Sequence, residues 1–261
     1  EARTVFEEAD AALGESLSTL CFEGPAEELK LTANTQPAVL TTSIALLRAL
    51  AESCDVLAGH SLGEYSAQVA AGTLDLADAV RLVRKRGRYM QEAVPVGDGA
   101  MAAVLKADRD TVERICKDTE GVVEPVNYNS PGQIVIAGEA AAVDSAGLKL
   151  KEAGARAMPL PVSAPFHSSL MKPAELRLAA DIAQIAFSPP RMPVYVNVDA
   201  VPVTDADADK DALIRKVSHP VLWEQSIRRM IEDGVSLFVE VGPGKVLTGL
   251  VGRIDKSVQK L

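Results

Sequence analysis

Cysteine is scarce in this chain: Cys21, Cys54 and Cys116 lie far apart with no CxxC spacing, which excludes a disulfide framework and a cysteine zinc site. They read as small buried hydrophobes. No apolar run approaches the roughly 20 residues of a bilayer span, and no basic-then-apolar leader opens the sequence. No membrane partner is therefore expected, and a cytosolic or organelle-matrix location is. Positive charge is in deficit, with 27 Lys and Arg against 36 Asp and Glu and a net charge of −9. That balance argues against nucleic acid as a partner. No repeat or low-complexity tract stands out beyond a polar stretch at 205–211, which reads as a solvated helix start. At 261 residues the chain has room for one large core, or for a core plus a small inserted domain.

Residues 56–67 read VLAGHSLGEYSA. A short apolar run breaks at Gly59-His60-Ser61-Leu62-Gly63 and continues into a helix-forming stretch, the order a nucleophile elbow requires. Glycines on either side let strand and helix approach while the hydroxyl stands clear. Ser61 then sits at a helix N-terminus, where partial positive charge and free N–H groups favour an oxyanion.

Periodicity predicts a helix over 40–51 with Pro37 in its first turn, a buried strand over 55–58, a helix over 64–71, and a helix over 75–91 capped by Asp75 with Asp78 three residues on. This alternation is α/β. From 99 the pattern becomes strand 101–105, helix 109–117, strand 122–128, a Ser130-Pro131-Gly132 turn, strand 133–137, helix 141–153 and strand 156–162. That βαββαβ order is ferredoxin-like. The expectation is a large α/β domain with a parallel sheet, residues 1–98 and 164–261, interrupted by a ferredoxin-like α+β subdomain, 99–163. A helix over 169–186, a strand over 194–198, two helices, a strand over 236–241 and a last helix complete it. Gly242-Pro243-Gly244-Lys245 is not a P-loop, because Val239 and Val246 stand where a glycine and a hydroxyl residue belong.

The helix at 75–91 sorts its basic residues into two groups. Arg81, Arg84, Lys85 and Arg88 fall on one stripe, which offers either a solvated face or a dock for an acidic partner. Arg86 points roughly 150° away, at about 100° per residue, among Ala79, Leu82, Val83, Tyr89 and Met90. A guanidinium there needs acceptors or an anion. An internal acidic partner or snorkelling would serve, and so would a substrate carboxylate held by the bidentate fork.

Three histidines are available as a base for Ser61. His60 adjoins the serine and should point away from its hydroxyl. His219 precedes Pro220 in a turn, and His167 lies in a loop between the small unit and a helix. His167 is favoured, and with no obvious acidic orienter nearby a backbone carbonyl must hold its tautomer.

Seven blocks, GHSLGEYSA (59–67), RGRYMQEAVP (86–95), GAMAAV (99–104), NYNSPGQIVIAG (127–138), PFHSSLMKPA (165–174), PVLW (220–223) and EVGPGKVLTGL (240–250), stand in the order of one family. Over nearly its whole length the chain resembles the malonyl-CoA:acyl carrier protein transacylases of type II fatty acid synthesis. The resemblance implies a hydrolase-like domain with an inserted ferredoxin-like domain, Ser61 as nucleophile, His167 as base and Arg86 as clamp on the malonyl carboxylate. It makes Asn129 the active-site asparagine, and Leu62 one oxyanion donor as well as part of the substrate pocket. Phe166 resembles the aromatic residue that narrows the room for an α-methyl group in malonyl-selective domains. Lys216 stands where the family usually has a glutamine whose backbone carbonyl holds the histidine.

Malonyl-CoA and acyl carrier protein are the partners implied, as substrates, with no metal or bound cofactor and a monomer expected. The family begins with a strand and a GQGSQ loop giving the second oxyanion donor, whereas this sequence opens at Glu1 inside the following helix. A fragment or trimmed record is thus the expectation, slower in transfer than a chain carrying that loop. A polyketide-pathway acyltransferase, a carrier-protein acyl hydrolase on the same fold and a non-catalytic carrier-binding module are the rival readings.

Overall fold

The computed structural model describes residues 1–162 and 164–261. Ser163, the expected end of the inserted unit, lies outside the described residues. The chain folds as a mixed α/β protein. It opens with helices α1 (Ala2–Leu13), α2 (Leu17–Glu23), α3 (Ala26–Leu29) and α4 (Thr32–Leu50), then strand β1 (Leu57–Ala58), α5 (Leu62–Ala71) and α6 (Leu76–Glu92). The middle runs β2 (Gly99–Leu105), α7 (Arg109–Lys117), β3 (Val123–Ser130), β4 (Gln133–Glu139), α8 (Ala140–Glu152) and β5 (Arg156–Pro159). A 3₁₀ turn (Ser169–Met171) leads into α9 (Lys172–Ile182), followed by β6 (Val194–Tyr195), β7 (Pro202–Val203), α10 (Ala206–Arg215), α11 (Trp223–Glu232), β8 (Leu237–Phe238), α12 (Val246–Ile254) and β9 (Gln259–Lys260).

Helices α1, α4, α6 and α9 bury Val5, Leu40, Ile44, Leu82, Val83 and Leu178 in the largest core. The Asp75 carboxylate caps α6 by accepting from the Ala77 N–H at 2.9 Å. Asp78 does not complete a box but pairs with Arg81. Helix α4 starts at Thr32, eight residues before the expected start, and Pro37 lies inside it, buried. Burial of that face outweighs the missing N–H, which local propensity counts as a helix breaker.

The middle of the chain forms a four-stranded antiparallel sheet in the order β3-β4-β2-β5. Helices α7 and α8 cover one face of it over Val104, Ile115, Ile136 and Leu150. Its β3 edge is tied to the rest of the molecule: Tyr128 N–H donates to the Val221 carbonyl and Val221 N–H to that of Val126.

The expected parallel sheet is smaller and less regular. β1 pairs parallel with β6, β6 pairs antiparallel with β7, and β8 pairs parallel with β9, each strand only two residues long. In the run at 194–198 the strand ends at Tyr195; Val196 N–H still donates to the Val201 carbonyl, and the Asn197 side chain then turns to bond the elbow.

The basic stripe on α6 is occupied within the chain. Arg81 pairs with Asp78, Arg84 with Glu15, Lys85 with Asp181 and Arg88 with Glu92. Each charge thus faces a carboxylate, and the stripe is an intramolecular ladder rather than an unpaired field for an acidic partner. Among the described residues no helix is long and apolar enough to cross a membrane.

Candidate active site

Ser61 caps α5 at φ 50°, ψ −103°, a conformation a non-glycine residue adopts only under constraint. Asn197 supplies much of that constraint. Its Oδ1 accepts the Ser61 N–H at 2.7 Å and its amide donates to the Gly59 carbonyl at 2.7 Å, while its own N–H donates to Glu64 Oε2. The two glycines are not equivalent, contrary to the sequence reading. A Cβ on Gly59 would meet the Gly63 carbonyl carbon and oxygen at 2.0 Å, whereas one on Gly63 meets nothing within 4 Å. Gly59→Ala should therefore cost about 3 kcal/mol or more, and Gly63→Ala should leave the thermal midpoint unchanged or raised by the better helix propensity. Thermal melts of the two variants check this, and equal midpoints would contradict it.

His167 Nε2 lies 2.7 Å from Ser61 Oγ, and His167 Nδ1 lies 2.8 Å from the Lys216 carbonyl oxygen. A carbonyl only accepts, so the proton sits on Nδ1 and the lone pair of Nε2 faces the serine hydroxyl. The ring is buried at φ 65°. Burial and then the Arg86 charge push its pKa down to about 3, keeping the imidazole neutral.

Arg86 is 2% exposed. One Nη donates to Gln36 Oε1 at 2.7 Å and the other to Ser61 Oγ at 3.1 Å. Its Nε finds no partner among the described residues. Its guanidinium lies 5.5 Å from the Tyr65 ring centroid. No carboxylate is paired with it among the described residues, so the internal acidic bridge left open by the helix pattern is not formed.

Lys216 and Glu64 are wholly buried, with Nζ 3.4 Å from Glu64 Oε1 and donating to the Ser61 carbonyl at 2.7 Å. Burial pushes the lysine down to about 7 and the glutamic acid upward, and each opposes the shift of the other.

A cleft of about 380 Å³ opens over Ser61, His167 and Arg86 and is lined also by Leu62, Phe166, Met101 and Asn127. Asn129 is elsewhere: His60 Nε2 donates to its Oδ1 at 2.8 Å, and it does not line the cleft. The asparagine that lines the cleft is instead Asn127, two residues earlier in β3, whose Oδ1 has no partner among the described residues. Register shifts in β3 flank these positions and re-aim its side chains. A second depression, about 440 Å³, lies along β8 and β9 and is lined by Leu237, Val258, Gln259, Lys260 and Leu261, without a hydroxyl, thiol or imidazole side chain. Sequence reasoning missed Gln36, Asn127 and Asn197. In the sequence Gln36 shows only as a polar residue beside a proline, and Asn197 only as a polar residue within an apolar run.

A serine hydroxyl on a strained corner, bonded to a neutral buried imidazole, is the apparatus of acyl transfer or hydrolysis through a serine ester. The family model described as acyl transferase domain matches residues 1–260. The malonyl CoA-acyl carrier protein transacylase of Escherichia coli K12 is 54% identical over 256 residues, covering 95% of this chain and 83% of that protein. The Bacillus subtilis protein of the same name is 49% identical, covering 100% of this chain and 84% of its own length. An acyl carrier protein S-malonyltransferase structure from Vibrio cholerae superposes with a TM-score of 0.97 at 49% identity, covering 99% of this chain and 87% of that one. A malonyl-transacylase solved in complex with its type II PKS acyl carrier protein also gives 0.97, at 46% identity, with 99% and 86% covered. The chain belongs to the acyl transferase domain family, among the malonyl CoA-acyl carrier protein transacylases.

Proposed function

We propose that the chain moves a malonyl group from coenzyme A to the phosphopantetheine thiol of acyl carrier protein through a malonyl ester on Ser61, as a step of fatty acid synthesis. The observation that carries this reading is Arg86, a buried guanidinium without a paired carboxylate among the described residues, hydrogen-bonded to the hydroxyl of Ser61. A malonyl carboxylate supplies the missing anion, and its reach places the thioester carbonyl beside Oγ.

In the first half-reaction His167 Nε2 takes the Ser61 proton as Oγ attacks the thioester carbonyl. The Leu62 N–H meets the resulting oxyanion, and on collapse the coenzyme A sulfur leaves with the proton from His167. The carrier thiol then attacks the ester by the reverse sequence. Phe166 and Leu62 restrict the space beside the acyl α-carbon. Residues 1–98 and 164–261 make a hydrolase-like domain, and 99–163 an inserted ferredoxin-like subdomain, a division supported by the βαββαβ order and the antiparallel sheet of the middle segment. The protein acts as a cytoplasmic or organelle-matrix monomer, with no bound metal or cofactor.

Presented with malonyl-CoA, water and carrier protein together, the chain should deliver malonyl to the carrier thiol far faster than to water. Release of free malonate as the main product would contradict transfer and favour an editing hydrolase. The type II PKS carrier in the related complex favours a second reading, transfer to a polyketide carrier by the same chemistry, and comparing fatty-acid and polyketide carriers as acceptors separates the two.

A further inference from the structure

We propose that the Lys216 side chain is a positioning group for the oxyanion donor, holding the Ser61–Leu62 peptide in one orientation through the Ser61 carbonyl. The inference rests on the reading above in which the Leu62 N–H meets the oxyanion. In a trans peptide the C=O and the N–H that follows it lie in one plane and point to opposite sides. Whatever fixes the Ser61 carbonyl therefore aims the Leu62 N–H.

The Ser61 carbonyl takes a 2.7 Å bond from Lys216 Nζ and a longer one, 3.3 Å, from the Glu64 N–H. Ser61 itself lies at positive φ, so this peptide is not held by ordinary helical preference. In its protonated form, which Glu64 beside it favours, Lys216 brings a positive charge to the bond. Its ammonium lies 3.4 Å from Glu64 Oε1 and 4.6 Å from the Tyr65 ring centroid, with both members of the ion pair fully buried. Burying such a pair carries a heavy desolvation cost that an apolar filling would avoid. Its place on the nucleophile's own peptide gives it a use: a cation on the carbonyl polarises the amide and makes the next N–H a stronger donor. The main-chain carbonyl of the same residue holds His167. The C-terminal end of α10 thus sets the base with its backbone and the nucleophile's peptide with its side chain.

The test uses the full chain and two variants. Lys216→Gln keeps an N–H donor at similar reach, and the double variant Lys216→Met with Glu64→Gln removes the donor together with the charge it balances. Three quantities are read: kcat and KM for malonyl transfer, the rate of Ser61 phosphonylation by a fluorophosphonate, and the thermal midpoint. In that probe reaction Oγ forms the bond to phosphorus, fluoride leaves, His167 takes the hydroxyl proton, and the phosphoryl oxygen uses the oxyanion donor. The double variant should stay folded with KM little changed, and its kcat and phosphonylation rate should fall together by roughly 10- to 100-fold, part of the loss seen when a donor is removed outright. Lys216→Gln should restore most of both rates. An unchanged kcat and phosphonylation rate in a folded double variant would overturn the proposal, as would loss of folding, which would make Lys216 a structural residue. A wild-type chain that transfers no malonyl and forms no malonyl adduct on Ser61 would overturn the acyl-transfer reading itself, a distinct result.

Discussion

His167→Ala is expected to lower malonyl transfer by roughly 10³-fold, within the range of about 10²–10⁴ that a positioned general base contributes. The imidazole is the group placed to take the proton of Ser61 Oγ, at 2.7 Å, with its tautomer set by the Lys216 carbonyl. Arg86 cannot substitute, because its guanidinium only donates to Oγ. The same geometry sets the pH dependence. A base must be neutral, and burial with the nearby Arg86 charge holds the His167 pKa down at about 3. The acid limb of kcat/KM, which reports the free enzyme, should therefore be absent from the region near pH 6.5 where an unperturbed histidine titrates. As pH falls through that region the wild-type rate should hold. A limb centred near 6.5 would mean that the imidazole is solvated in the working enzyme, and a His167→Ala variant with near wild-type rate would remove it from the mechanism.

Arg86→Ala should invert the preference between malonyl and acetyl thioesters. Losing a buried charge-assisted, bidentate contact to a carboxylate costs about 2–5 kcal/mol, while acetyl, lacking the carboxylate, loses much less. Removing the guanidinium also takes away the donor at 3.1 Å from Ser61 Oγ, a loss both substrates share. The ratio of the two kcat/KM values is therefore the quantity to follow. Arg86→Lys should recover part of the malonyl rate, since a point charge attracts the anion without matching its fork. Equal losses for both thioesters would make Arg86 a structural residue whose partner is Gln36.

The parts of the site that were legible in sequence are those where a residue breaks a local rule. An arginine on the apolar face of α6 and a serine between glycines at a strand-to-helix corner can each be seen within a few residues. The middle of the chain was legible for a related reason. Helix α7 runs over 109–117 as periodicity places it, and Asp108 caps it through the Thr111 N–H, so local chemistry and tertiary structure agree there.

What stayed hidden depends on partners distant in sequence. Gln36 meets Arg86 across 50 residues, Asn197 meets Ser61 across 136, and the Lys216 side chain reaches the Ser61 carbonyl across 155. No window of sequence contains those pairs. The short strands follow from the same cause. An apolar run such as 194–198 has the composition of a strand, yet past Val196 the Asn197 side chain bonds the elbow instead of extending a sheet. A sequence motif does not say which of two asparagines on an irregular strand reaches the cleft, and here Asn127 does.

The central claim is that Ser61 carries the acyl group, and trapping the intermediate tests it most directly. Intact-mass and peptide mass spectrometry of the chain, quenched after brief exposure to malonyl-CoA without carrier protein, should find one malonyl group, located on the peptide that contains Ser61. The adduct should discharge when carrier protein is added and should be absent from a Ser61→Ala variant whose circular dichroism spectrum is unchanged. A malonyl adduct that persists in Ser61→Ala, or one located on another residue, would contradict the account.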